Sequence, residues 1–118
     1  MFPYNKLIVY GKAFANQRRV MVLIKQNKGM PAYVKNQFGR ASLSIMLNIA
    51  EGSGRTSNKE RKNFFTIARG SVFECAAILD LLFAEQEISQ SVYTELKTEY
   101  EEISRILYTM IKNLSLKS

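Results

Sequence analysis

Histidine and tryptophan are absent from this sequence, cysteine occurs once and proline twice. Each scarcity closes a class of function. Without histidine the commonest general base and the commonest metal ligand are missing, and no carboxylates stand at metal-ligand spacing. The chain is therefore expected to be no enzyme, with no catalytic residue, metal or cofactor to name. The lone Cys75 has no partner for an intrachain disulfide and sits in an apolar segment, so it reads as a small buried hydrophobe in a reducing compartment. No stretch approaches 18 uninterrupted apolar residues, and residues 1–6 lack the pattern of a secretory signal. The expectation is a cytoplasmic protein that does not cross a membrane. With only six glycines beside the two prolines, the chain has few breaks, which suits long regular elements joined by few turns.

What is present is apolar periodicity at helical spacing. The 118 residues read as a single domain over 1–118 with four helices, at about 7–28, 32–51, 57–85 and 90–115. In the first, Leu7, Tyr10, Phe14, Met21 and Ile24 recur on one face; Gly29 is then suited to a C′ position and Pro31 to the first turn of the next helix. The second carries Val34, Phe38, Ala41, Ile45 and Ile49, and Gly52, Ser53 and Gly54 terminate it. Ser57 and Glu60 form a capping box at the start of the third helix. That helix has two apolar stripes, Phe64, Ala68, Cys75, Ile78 and Leu82 beside Phe65, Val72, Ala76, Leu79 and Phe83, an arc too wide for one neighbour. After a short polar link, Leu96, Tyr100, Ile103, Leu107, Met110 and Leu114 alternate steps of four and three, as bundle packing requires. The fold class expected is all-α, an antiparallel up-down-up-down four-helix bundle.

Charge is unevenly distributed. Residues 1–69 hold 13 Lys and Arg against 2 acids, whereas residues 70–118 hold 4 against 8. A basic half attracts polyanions, and the acidic half can meet a basic patch on another copy. In the expected topology one end of the bundle gathers Lys6, Lys12, Arg55, Lys59, Arg61, Lys62, Lys112 and Lys117, opposed only by Glu51 and Glu60. Arg61 and Lys62 occupy the first turns of a helix, where the macrodipole disfavours cations, so local helix stability does not explain them and phosphate contact would. Arg18 and Arg19 form a second strip with Lys12 and Lys25, and Tyr4 and Tyr10 add stacking surface. The candidate nucleic-acid-binding residues are thus Arg18, Arg19, Arg55, Lys59, Arg61 and Lys62; the competing reading is a merely solvated face. The run from Gly52 to Ser57 is no phosphate-cradling loop, because it lacks the required lysine and follows a helix where a strand is needed. Gln37, Ser44, Asn48 and Glu51 form a polar line beside the apolar stripe of the second helix, facing Ser71 and Glu74 on the third, with Arg40 placed to pair with a carboxylate. They read as a hydrogen-bonded network that sets helix register or a subunit contact, with a ligand site as the lesser alternative.

Residues Gln37, Arg40, Ala41, Ser44, Asn48, Ala50, Glu51, Gly52, Gly54 and Arg55, continuing to Glu60, Phe64, Ala68, Gly70, Ser71 and Glu74, closely resemble the signature of the 23S rRNA intervening-sequence protein family, also called the four-helix-bundle protein family. The resemblance spans roughly residues 37–74, with a looser match at Leu7, Tyr10 and Ala13. Tyr10 stands where the family often has tryptophan and Phe65 where it often has leucine. The resemblance implies a bacterial four-helix bundle without established enzymatic activity. It also implies a relation to the accessory variability protein of diversity-generating retroelements, a basic pentameric barrel that binds nucleic acid and a reverse transcriptase. By that analogy the chain is expected to be a homopentamer that binds RNA or DNA with little sequence specificity. The alternative is a protein-interaction scaffold, an accessory subunit that docks a ribonucleoprotein, a reverse transcriptase or a ribosomal component without touching nucleic acid.

Overall fold

The computed structural model describes residues 1–117, and side chains as far as Leu116; Lys117, assigned above to the basic end, lies outside the described side chains. Among the described residues there are four helices and no strand: α1 (Ile8–Gln26), α2 (Ala32–Ser53), α3 (Asn58–Ala84) and α4 (Gln90–Lys117), preceded by a 3-10 turn at Pro3–Lys6. The longest dimension, 46 Å, is close to the length of α4 alone, since 28 residues rise about 42 Å. Helix α3 packs on α2 and α4, and α1 closes the bundle by packing on the same two. Along three of the seams, numbers rise on one helix as they fall on the other: Lys12 meets Glu102 and Arg19 meets Glu95, Gln37 meets Glu74 and Ser44 meets Ser71, Arg69 meets Ser104 and Asp80 meets Lys97.

One core runs the length of the bundle. Phe38, Ile45 and Ile49 of α2, Val72 and Leu79 of α3, and Tyr100, Ile103 and Leu107 of α4 are all buried in it. The stripe expected on α2 is therefore the buried one, and so are the first four positions expected on α4. Helix α3 buries Phe65, Ala68, Val72, Cys75, Leu79 and Leu82, a line drawn from both expected stripes, while Phe83 faces outward.

The buried face of α1 differs from the one expected. Val9, Ala13, Asn16 and Val20 face the core, and Phe14 and Met21 are nearly half exposed, so the face is displaced by one residue, about 100° on the helix. Both phases of α1 carry apolar residues, and periodicity alone does not choose between them. Small side chains at positions 9, 13 and 20 let α1 approach α2 and α4 closely, whereas the rings of Tyr10 and Phe14 fit only on the rim.

Turn chemistry supplies two further corrections. Gly29 is not a left-handed C′ residue, since no glycine here has positive φ. Asn27 ends α1 instead: its Oδ1 accepts from the amides of Gly29 and Met30 at 2.9 Å, and its Nδ2 donates to the Glu87 carbonyl at 2.7 Å, joining the α1–α2 and α3–α4 turns. At Gly29 the missing side chain matters for space, because a Cβ would stand 2.5 Å from Glu87 Oε2. Pro31 sits at the N-cap of α2, immediately before its first turn.

Helix α3 begins at the expected cap, with Ser57 Oγ accepting from the Glu60 amide at 3.1 Å. The reciprocal half of the capping box is replaced: Glu60 Oε1 accepts from the Ser57 hydroxyl, and its other oxygen lies 3.6 Å from Arg55. At the far end of α3, Gln86 takes φ 60° and the Glu87 and Gln86 amides donate to Leu82 and Phe83, a Schellman closure without glycine. A side chain in this conformation is strained, so Gln86→Gly is expected to raise stability by about 0.5–1 kcal/mol in urea unfolding. Unchanged or reduced stability would mean that the glutamine makes compensating contacts. Ser89 Oγ then caps α4 by accepting from the Val92 amide at 3.1 Å.

Candidate functional site

The polar line of α2 lies along the outer side of its seam with α3. Gln37 donates to Glu74, Ser44 and Ser71 share a hydrogen bond of 2.8 Å, and Asn48 donates to the carbonyl and hydroxyl of Ser44 at 2.8 and 3.0 Å. Glu51 turns to Arg55, 2.8 Å away. Gln37, Ser44, Asn48, Ser71 and Glu74 are thus brought together in hydrogen bonds on α2 and across its seam with α3. Arg40 does not join them. It is exposed and has no carboxylate partner among the described residues.

The basic residues divide into two groups. Arg19 is held by Glu95 and Glu99, with its closest contact at 2.7 Å, and Lys12 is paired with Glu102, whose carboxyl it holds below the usual range. Lys12 therefore faces α4 and not the end of the bundle. Arg55 bonds Glu51, approaches Glu60 and lies 4.7 Å from the centroid of the Phe64 ring. Arg61 is half-buried and donates through Nε to the Arg55 carbonyl at 2.7 Å, so it stabilises the α2–α3 turn. Among the described residues Arg18, Lys59 and Lys62 are exposed cations with no ion pair. Arg61 also lacks a carboxylate partner, but of the candidates only these three are both exposed and without one.

Two basic regions result. Lys59 and Lys62 lie at one end, where residues of the N-terminal turn, the end of α2, the start of α3 and the end of α4 line a common groove that includes Pro3, Ser53, Arg61 and Asn113. Arg18 is ten residues into α1, roughly 15 Å along the axis. Between them the N-terminal turn places aromatic rings. The sequence pattern concealed this, because Phe2 and Phe14 were indistinguishable there from ordinary apolar positions.

Burial pushes the Cys75 thiol up to about 12, leaving it protonated and inert at neutral pH. Burial also raises Tyr100, whose hydroxyl lies near Cys75 and Asn16 yet meets hydrogen-bond geometry with neither. Asp80 is held below its ordinary value by hydrogen bonds from Lys97 at 2.5 Å and Tyr93 at 2.8 Å, on an exposed surface that joins α3 to α4. Among the described residues no three His, Cys, Asp or Glu side chains converge as a metal site, and no helix is long and apolar enough to cross a membrane.

Comparison with known proteins gives a family match and structural matches. The family model described as 23S rRNA-intervening sequence protein matches residues 5–109. The fold is similar to the 1.70 Å crystal structure of a protein of unknown function from the S23 ribosomal protein family of Bacteroides thetaiotaomicron, with a TM-score of 0.85 and 26% identity, covering 89% of this chain and 99% of that one. The comparison with curated proteins yields no match.

Proposed function

Because this chain belongs to the 23S rRNA-intervening sequence protein family, we propose that it is a non-enzymatic, oligomeric helical bundle that binds RNA or DNA through backbone phosphates with little sequence specificity. The observation that carries the reading is that three of the candidate cations, Arg18, Lys59 and Lys62, are exposed and have no ion pair, on the half of the chain where acids are scarcest. Lys59 and Lys62 are costly to the start of α3, where the helix dipole is positive, and a bound phosphate would reverse that cost. The reading retains an antiparallel, up-down-up-down topology, supported by the opposed numbering along the seams. It also retains a pentamer, supported by exposed Ile67, Phe73 and Leu81 on α3, which a second copy would cover. The place of action is the cytoplasm, beside ribosomal RNA or a ribonucleoprotein.

Phosphate binding of this kind is governed by counterion release. If about five phosphates are neutralised, log Kd against log salt has a slope of magnitude near 4, whatever the sequence. A titration of fluorescent RNA and DNA between low and physiological salt measures it, with light scattering giving the mass of the binding species. A flat salt dependence would remove the proposal. It would favour the scaffold reading, in which the basic end docks an acidic protein, a reverse transcriptase or a ribosomal component without touching nucleic acid.

A further inference from the structure

Four rings follow one another across the start of the molecule. Phe2 stacks on Tyr4 with centroids 5.5 Å apart, Tyr4 lies 4.6 Å from Tyr10, and Tyr10 lies 6.1 Å from Phe14. All three steps fall within the range of favourable ring contacts. The two end members are the exposed ones, Phe2 at 66% and Phe14 at 45%, so each end of the series presents ring surface to solvent. Tyr10 packs against the core, but core packing does not account for Phe2 and Phe14, which lie off the core face that carries Val9 and Ala13.

Both ends of the series meet cations. Arg18, unpaired, stands one turn beyond Phe14 on α1. At the other end Phe2 and Tyr4 line a groove with Leu47, Ala50 and Phe64, and Arg55 covers the Phe64 ring. The one carboxylate in that groove is Glu51, which Arg55 already neutralises. Aromatic faces with the unpaired Arg18 at one end and a groove without a free acid at the other are complementary to an unpaired polynucleotide. Its bases expose π faces that a duplex keeps stacked within itself.

We propose that Phe14, Tyr10, Tyr4 and Phe2 form a stacking track for single-stranded nucleic acid, running from Arg18 to the Arg55–Phe64 pair. The proposal rests on the nucleic-acid reading above and adds to it a substrate class, a direction across the surface and ring contacts that no charge analysis contains. Bases extend the ring series at its exposed ends, while phosphates reach Arg18 on one side and the α2–α3 turn on the other.

The test is fluorescence anisotropy with a labelled oligouridylate of about 15 nucleotides and a duplex of the same length. Wild type is compared with Phe14→Leu, which keeps an apolar side chain at a half-exposed site and removes the ring. Phe2→Leu is the second variant, and thermal melting confirms that both remain folded. Weakening of single-strand binding by about tenfold per ring, with duplex binding unchanged, is the expected result. Equal binding of strand and duplex, untouched by either variant, would overturn the track while leaving the phosphate reading intact. Absence of binding to any nucleic acid at low salt would overturn both. A fall in particle mass on Phe14→Leu would show instead that a second copy of the chain covers the rings.

Discussion

A Gly52→Val variant is expected to lose about 3 kcal/mol of stability and roughly 10 °C in melting temperature. Gly52 is buried in the last turn of α2, and even a single Cβ there would stand 2.8 Å from the Phe65 ring and 3.0 Å from Phe64 Cβ. The Phe64 Cβ is anchored directly to the α3 backbone, so it cannot swing aside, and Phe65 is itself in the core. The helices must separate at this point or Phe65 must leave its rotamer. Gly52→Ala meets the same atoms but gains about 1 kcal/mol of helix propensity, so its loss is expected to be much smaller. Urea unfolding of both variants measures the difference. A valine variant as stable as wild type would mean that the α2–α3 crossing is looser than this packing requires.

The second large effect is on binding. With Lys59 and Lys62 both changed to glutamate, nucleic-acid affinity at about 50 mM salt is expected to fall on the order of a hundredfold, and the salt slope to lose about two units. Each neutralised phosphate contributes about 0.9 to that slope and therefore about tenfold or more in affinity at this salt. The same variant is expected to be slightly more stable than wild type. Two carboxylates replace two cations near the positive end of α3, each worth a few tenths of a kcal/mol or more. Opposite signs for stability and binding separate this result from damage to the fold. If affinity is unchanged while stability rises, these lysines belong to a solvated face and the phosphate contacts lie elsewhere.

Arg55 and Arg61 carry a different lesson. In the sequence both stand among the cations gathered at one end of the bundle, and nothing in their spacing distinguishes them from Lys59 and Lys62. In the fold Arg55 lies against Glu51, Glu60 and Phe64, and Arg61 bonds the Arg55 carbonyl. Both therefore hold the turn that presents the two lysines. The distinction depends on contacts across a turn, where spacing along one helix is uninformative. Arg19 and Lys12 are separated from Arg18 for a similar reason: only the packing of α1 beside α4 brings Glu95, Glu99 and Glu102 to them.

By itself the sequence determined the helical class, all four helices to within two residues at each end, the Ser57 cap, and the buried stripe of α2 with most of that on α4. These follow from local physics, in which spacing, capping hydroxyls and scarce glycine act within one or two turns. The α1 face, the stop at Asn27, the left-handed Gln86 and the ring series from Phe2 to Phe14 were decided only by the tertiary structure. Each depends on a choice that local rules leave degenerate. Two apolar phases compete on α1, Asn27 is secured by a carbonyl sixty residues away, and Gln86 holds a strained conformation where α3 must turn into α4. The rings align because a turn outside the four helices lays Phe2 and Tyr4 beside α1, and that placement belongs to packing between elements, beyond the reach of periodicity.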